Sequence, residues 1–327
     1  MLSRVADSLY WMSRYIERAE NNARIAGVHL QLLLDLTNPG EAYPNQQWDP
    51  IVSSLEENEL FASLYEKPNG KAVIDFVSLQ KKNPNSIHSC LTLARENARS
   101  TSGQISSEMW EQINSLYLFL KSETAKRLVR TSPYEFFKRI ITGSQLFQGI
   151  TDATMTHGEG WDFIRIGKYL ERADCTSRIL DVKYHILLPS GEQVGGNVDT
   201  LQWISVLRSC SALEAYRKVY FGHVAPWRVA EFIITHPTFP RSVRFCIDSL
   251  DAAMHQISGT HDSKYTNEAE RLSGRLRSDL DYATIADIFK FGLHEYLDQI
   301  QERLVEISNA LYATYCLHSP LENLCSG

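Results

Sequence analysis

Glycine and proline are scarce in this sequence, with 17 and 11 residues among 327, and this scarcity excludes a collagen-like, low-complexity or largely disordered chain. Basic residues are not in excess either. The chain has 33 lysines and arginines against 39 aspartates and glutamates, and its formal net charge is −6. A dedicated nucleic-acid-binding protein normally carries a basic face. We therefore expect no nucleic-acid partner.

The sequence also lacks a long hydrophobic run. Its longest apolar stretch, residues 30–36, already contains Gln31 and Asp35, whereas a membrane-spanning helix needs about 18 or more apolar residues. The first residues include Asp7 and show no apolar segment after a basic start, which is not typical of a signal peptide. The six cysteines form no CxxC pair, a pattern typical of reduced thiols. We expect a cytoplasmic protein without membrane contact.

Motifs for metals and nucleotides are missing as well. The sequence has no HExxH motif, no Cys/His zinc spacing and no paired ExxH motifs, so it predicts no metal site. The glycines at 158–160 match neither a P-loop nor a dinucleotide fingerprint, which both follow a strand. We expect no cofactor on this chain.

The pattern that is present is helical. In the first 36 residues, apolar side chains recur at helical spacing, and no glycine or proline interrupts the run before Gly27. A second long helix is predicted from Trp161 to Leu188. Pro133 sits where a helix can begin, and Ser86 is a candidate helix cap. Further helices are predicted at about 49–66, 70–82, 86–102, 104–121, 133–154, 199–221, 226–235, 240–257, 263–281 and 284–317. Strand-like alternation is absent, so the sequence predicts an all-α chain.

Parts of the sequence repeat. Residues 15–20 (YIERAE) match residues 169–174 (YLERAD) at an offset of 154. Further matches at an offset of 156 are Phe76 with Phe232, Pro84 with Pro240, Ser86 with Ser242, and Cys90 with Cys246. A steady offset of this kind indicates tandem duplication. We expect two similar helical halves, 1–155 and 156–327, that share one core.

The repeated motif allows two structural interpretations. On a helical projection, Arg14 and Arg18 lie opposite the apolar stripe, and Lys168 and Arg172 do the same in the second copy. Pairs spaced i,i+3 and i,i+4, such as Arg14 with Glu17, would stabilise a solvated helix face by a few tenths of a kcal/mol each. Alternatively, a buried Glu-Arg network would join the two long helices and fix their geometry.

A functional interpretation stays open beside these two. Arginine presents a planar fork of donors that matches a carboxylate or phosphate, and the two copies could hold one ligand between the halves. The candidate ligand-binding residues are Arg14, Glu17, Arg18, Lys168, Glu171 and Arg172. A second polar cluster has no counterpart in the second half, so it is a secondary candidate. It consists of Arg95, Glu96, Asn97 and Arg99.

Several segments along the chain form a recognisable pattern. They are 2–6 (LSRVA), 10–11 (YW), 15–20 (YIERAE), 94–99 (ARENAR), 108–111 (EMWE), 158–161 (GEGW), 169–174 (YLERAD) and 178–181 (RILD). Taken together, these segments resemble the alpha-E domain family, a bacterial all-helical family with a Glu-Arg motif. The resemblance covers essentially the whole chain. One departure is Ser13, where many members have glycine, as the second copy does at Gly167.

The resemblance implies a partner. Members of this family occur beside, or fused to, a circularly permuted ATP-grasp protein, with transglutaminase-like peptidases as further neighbours. ATP-grasp enzymes often form amide bonds through acyl phosphates. We therefore expect an accessory or binding protein of an amide (peptide) ligase, which itself binds the ATP, and a peptide or carboxylate as the substrate. Two alternatives are an enzyme acting on a peptide or amide, with Glu17 or Glu171 as general base, and a purely structural scaffold.

Overall fold

The computed structural model describes residues 1–36, 48, 51–52, 57–186 and 197–316. Across these residues the chain forms helices and no strands, so the predicted all-α class is confirmed. The helices are α1 (Ser3–Leu36), α2 (Asn58–Leu64), α3 (Gly70–Ser78), α4 (Ile87–Ser100), α5 (Ser107–Lys121), α6 (Glu123–Thr131), α7 (Pro133–Thr154), α8 (Glu159–Ile186), α9 (Asn197–Ser209), α10 (Leu213–Val219), α11 (Pro226–Thr235), α12 (Val243–Ser258), α13 (Glu268–Tyr282), α14 (Ile285–Phe291) and α15 (Leu293–Tyr315).

The two long helices α1 and α8 pack against each other at the centre of the fold. Their crossing is close, because Gly167 of α8 has no side chain where it meets the backbone of α1 at Tyr10. Ser13 of α1 donates to the carbonyl of Ile164 at 2.7 Å across the same crossing. Around this pair, α4 and α7 pack on α1, whereas α12 and α15 pack on α8.

The buried apolar side chains form three clusters. One is made mainly of residues after position 166, and another only of residues before position 141. The third contains Leu9, Met12 and Ile16 of α1 together with Phe163 and Ile164 of α8. Apolar packing therefore continues from the first part of the chain into the second, through the two long helices.

Local signals at helix starts are confirmed. Ser86 caps α4, since its hydroxyl accepts from the backbone N–H of Ser89 at 3.1 Å, and Ser242 caps α12 in the same way. Pro133 begins α7, where its missing N–H costs no intrahelical hydrogen bond.

Several predicted boundaries are wrong. The single helix expected at 199–221 is two helices, α9 and α10, separated at Ser211, whose φ is 51°. The helix expected at 284–317 is broken at Gly292, whose φ is 116°. Helix α6 was not predicted. Parts of the predicted helices at 49–66, 161–188 and 284–317, and the last residues of the second half, lie outside the described residues.

Among the described residues, none of the helices combines the length and the apolar character that a membrane crossing requires.

Candidate functional site at the crossing of the two long helices

The two copies of the Glu-Arg motif meet where α1 and α8 pack, and they exchange partners. Arg172 of α8 donates to both carboxylate oxygens of Glu17, at 2.9 and 2.8 Å. Arg18 of α1 donates to both oxygens of Glu171, at 2.5 and 3.0 Å. Each pair is bidentate, the strongest geometry for a guanidinium on a carboxylate. The motif therefore connects one long helix to the other.

A second arginine completes each carboxylate. Arg241 donates to Glu17 at 3.0 Å, and Arg14 donates to Glu171 at 2.8 Å. The expected i,i+3 pair of Arg14 with Glu17 is thus wrong, because Arg14 turns toward the other helix. Arg241 was not predicted as a site residue. The one available signal was its position, directly between the repeated Pro240 and Ser242.

The i,i+4 pairs that flank the motif form as expected. Arg24 donates to one oxygen of Glu20 at 2.9 and 2.7 Å, and Ser144 donates to the other at 2.6 Å. Arg178 donates to both oxygens of Asp174, at 3.0 and 2.9 Å. These side chains are buried or largely buried, so the expectation of a solvated helix face is wrong. The cause is that several other helices pack around α1 and α8.

The electrostatics keep both motif glutamates ionised. Burial alone would raise the pKa of Glu17, but the charge of Arg172 and its other arginine partner holds that pKa far below the usual range. Burial alone would also raise the pKa of Glu171, but the charges of Arg18 and Arg14 lower that pKa to about 2. A general base needs a pKa near the working pH. Neither carboxylate has the properties of a proton acceptor for catalysis at neutral pH.

These carboxylates make stability depend on pH. The pKa of glutamate in an unfolded chain is about 4.3, and folding lowers it for Glu17 and Glu171. The stability that such groups contribute is fully present above the unfolded pKa, and it is lost as the pH falls toward the folded pKa. We expect the free energy of unfolding, measured by urea titration at constant ionic strength, to fall most steeply below about pH 4.3. A free energy that rises from about pH 4 to pH 3 would contradict this account.

A cavity of about 300 Å³ lies on one side of this network. It reaches the surface, since its wall includes Val305, which is 54% exposed. Arg14 lines the cavity. Its Nε donates to Glu171, and its Nη1 donates to Tyr10 and Ser308. Its Nη2 makes no hydrogen bond to a described residue. The lining residues are Arg14, Arg18, Asn22, Asn85, Leu170, Glu171, Asp174, Cys175, Arg178, Leu304, Val305, Ser308 and Asn309.

A second cavity, of about 230 Å³, lies beside Glu17. Lys168 lines it, with Nζ 4.4 Å from the centre of the Tyr169 ring. The structure thus divides the predicted site residues. Arg14, Arg18 and Glu171 line the first cavity, Glu17 and Lys168 line the second, and Arg172, only 6% exposed, lines neither of these two.

The secondary candidates lie apart from both cavities, on α4. Arg95 donates to Asn114 at 2.8 Å and to Glu96 at 3.0 Å, and Arg99 pairs with the same glutamate. Asn97 donates to a backbone carbonyl one turn earlier. Glu96 and Arg99 are 44% and 68% exposed. The cluster is a partly exposed network on α4 that reaches α5 through Arg95, and the structure does not bring it together with the Glu-Arg motif.

Within the described part of the chain, two groups of side chains have the spacing of metal ligands. Glu171, Asp174 and Cys175 place one ligand atom each within 4.8 Å of one another. The carboxylates are already paired with Arg18 and Arg178, and burial raises the pKa of Cys175 well above its usual value, which disfavours the thiolate that a metal needs. This group suits a hydrogen-bonding cation better than a metal ion.

The other group is Asp181, His294 and Asp298. His294 lies between the two carboxylates, with Nδ1 2.8 Å from Asp181 and Nε2 3.2 Å from Asp298. The hydrogen bond with Asp181 raises the pKa of His294. A protonated imidazole has no lone pair for a metal, so the raised pKa disfavours metal binding at this group.

Comparison with known proteins supports the sequence resemblance. The model of the Alpha-E family, described as a predicted alpha-helical domain with a conserved ER motif, matches residues 1–316. Uncharacterised proteins of Mycobacterium bovis and Mycobacterium tuberculosis are 22% identical over 331 residues, which cover 95% of this chain and 36% of each relative. The chain therefore spans about a third of the length of these relatives. No solved structure matches it.

Proposed function

Because the chain belongs to the Alpha-E family and carries an open, charged cavity beside its Glu-Arg motif, we propose that it is a non-catalytic binding protein for a peptide or carboxylate. The observation that carries this proposal is the environment of Arg14. Its guanidinium lines the cavity, and its Nη2 has no hydrogen-bond partner among the described residues. A ligand carboxylate is the natural acceptor for such a donor.

The proposal divides the motif between two roles. Glu17 and Arg172 are almost fully buried and paired, which favours the structural role for this half of the network. The opening beside Glu171 is where a ligand can reach a guanidinium. The alternative of an enzyme with a glutamate base is weaker, because both motif glutamates have lowered pKa values.

The partner in this proposal is a circularly permuted ATP-grasp ligase, on the strength of the family resemblance. The ligase would bind ATP and transfer its γ-phosphoryl group to a substrate carboxylate, which releases ADP and gives an acyl phosphate. Attack by an amine would then release phosphate and form the amide. The present chain would hold the peptide near the ligase. A transglutaminase-like peptidase is a second partner of the same proposal. We place the complex in the cytoplasm.

We also propose that the chain arose by duplication of one helical half. Three features at matching positions support this. Ser86 and Ser242 both cap a helix. Cys90 and Cys246 both direct their thiols to the carbonyl of a proline six residues earlier, at 4.0 and 3.7 Å. The two motif arginines make reciprocal bidentate pairs.

Co-purification with the ATP-grasp protein of the same organism, followed by ATP turnover on candidate peptides, tests the proposal. We expect a complex and a peptide-dependent stimulation of turnover by this chain. Arg14→Met should raise the KM for the peptide by about tenfold, because it removes one charge-assisted contact. The complex with the ligase should still form. Arg127→Met removes the same charge at an exposed position of α6 and should leave the KM unchanged.

The outcomes separate the parts of the proposal. Absence of a complex, with turnover indifferent to this chain, would refute the partnership. Stimulation that is equal in the Arg14→Met and Arg127→Met proteins would refute the carboxylate site. Circular dichroism of both variants establishes that they are folded before the comparison is made.

A further inference from the structure

One guanidinium of this chain already occupies a site of the kind that a ligand would fill. Arg241 is 7% exposed. Its Nη1 donates to Glu17 at 3.0 Å and to Asn21 at 2.8 Å, and its Nη2 donates to Glu20 at 2.5 Å. Two carboxylates and one amide oxygen thus hold a single buried arginine. These four residues leave no open space at the position of the Arg241 guanidinium.

The matching residues on the other side form the wall of the first cavity. At the motif offset of 154, the acceptors correspond to Glu171, Asp174 and Cys175, and at the later offset of 156, Arg241 corresponds to Asn85. All four line the cavity. Aspartate is shorter than glutamate, cysteine is smaller than asparagine, and asparagine is much shorter than arginine. The cavity is therefore the space that a guanidinium fills on the opposite side.

The charges differ at the second carboxylate of each side, since Glu17 and Glu171 each already pair with two arginines. Glu20 is paired with two guanidinium groups, those of Arg24 and Arg241, whereas among the described residues Asp174 is paired with Arg178 alone. The Asp174 side chain is 17% exposed, and burial raises its pKa. A carboxylate that is desolvated with a single partner gains from a second cation more than a solvated one would.

We infer that the first cavity binds an arginine residue at the carboxyl end of a peptide. The ligand guanidinium lies against Asp174 and Glu171, where Arg241 lies on the other side, and the terminal carboxylate accepts from Arg14. The carboxylate half of this inference rests on the proposed function, while the guanidinium half rests on the comparison of the two sides. A cavity of about 300 Å³ suits one chain end of this size.

Calorimetric titration of the full chain with small probes tests the inference. The probes are N-acetyl-arginine, N-acetyl-citrulline and N-acetyl-glycine. Citrulline has the shape of arginine but a neutral urea group, so it isolates the charge. We expect N-acetyl-arginine to bind at least about tenfold more tightly than N-acetyl-citrulline, because charge-assisted hydrogen bonds are about twice as strong as neutral ones.

Two variants locate the site. Asn85→Arg places a guanidinium of the chain in the cavity, as Arg241 is placed on the other side, and it should abolish binding of N-acetyl-arginine. Gln145→Arg adds the same charge at an exposed position of α7 and should bind the probe like wild type. Asp174→Asn should bring the affinities for the arginine and citrulline probes within about twofold of each other.

The result that overturns the guanidinium inference is equal binding of all three probes. In that case binding of N-acetyl-glycine would still support the carboxylate site of the proposed function. Binding of none of the probes refutes both halves. If Asn85→Arg does not fold, which thermal unfolding establishes, the probe series on wild type and on Asp174→Asn decides the question alone.

Discussion

Replacing Glu17 by glutamine should lower the free energy of unfolding by about 3–5 kcal/mol, the cost of leaving buried charge without its partner. The Glu17 side chain is 1% exposed and is paired with Arg172 and Arg241. Glutamine keeps the shape, but it removes the negative charge and presents an amide N–H to guanidinium donors. Arg172 would then lose its counter-charge, and Arg241 would keep only that of Glu20.

Urea denaturation followed by far-UV circular dichroism gives the measurement. The matched control is Glu123→Gln, which breaks an exposed i,i+3 pair with Lys126 and should leave the midpoint unchanged. If both variants unfold at the same urea concentration as wild type, the network contributes no more than a surface pair, and its structural role is refuted.

Adding a methyl group at the crossing of α1 and α8 should lower the free energy of unfolding almost as much. A Cβ built on Gly167 would lie 2.3 Å from the carbonyl oxygen of Tyr10, a backbone atom that can move only if the two helices separate. We expect Gly167→Ala to cost at least about 2 kcal/mol, at the upper part of the range for overpacked interiors. Separation of the two helices would also move both bidentate Glu-Arg pairs away from their present geometry.

Gly149→Ala is the control for this prediction. Gly149 is an exposed residue within α7, and a Cβ there would meet nothing within 4 Å. Alanine should therefore stabilise the protein by about 0.5–1 kcal/mol, since glycine is a poor helix former. Thermal unfolding of the two variants should shift in opposite directions. Shifts of the same sign would mean that the crossing tolerates a side chain and that close packing is not what positions the motif.

Much of the fold could be predicted from local patterns. Helices α1 and α8 are long and have helical periodicity, and α1 has no glycine before Gly27. The helix starts at Ser86 and Pro133 depend on neighbouring residues only. The break at Ser211 could not be predicted, because a serine with positive φ has no local signature. Gly292 was missed for a different reason, namely that one glycine inside a helical pattern is often tolerated.

The sequence predicted which residues form the candidate site, but it did not predict which arginine pairs with which glutamate. The repeat identified Glu17, Arg18, Glu171 and Arg172, but a helical projection cannot show that each arginine pairs with the glutamate of the other helix. Arg241 could not be found by pattern, since it contacts residues more than 200 positions away. Such partners depend on how α12 packs against α8, which is a property of the tertiary fold.

The reciprocal exchange of partners has a consequence for how such a chain can originate. Each half buries a glutamate that only an arginine of the other half neutralises, so an isolated half would carry unpaired charge at its centre. Under the proposed duplication, the ancestor was an obligate symmetric homodimer. Joining two copies in one chain released the constraint that both sides be identical. Arg241 could then fill its position beside Glu17 and Glu20, while Asn85 left the first cavity open beside Glu171 and Asp174.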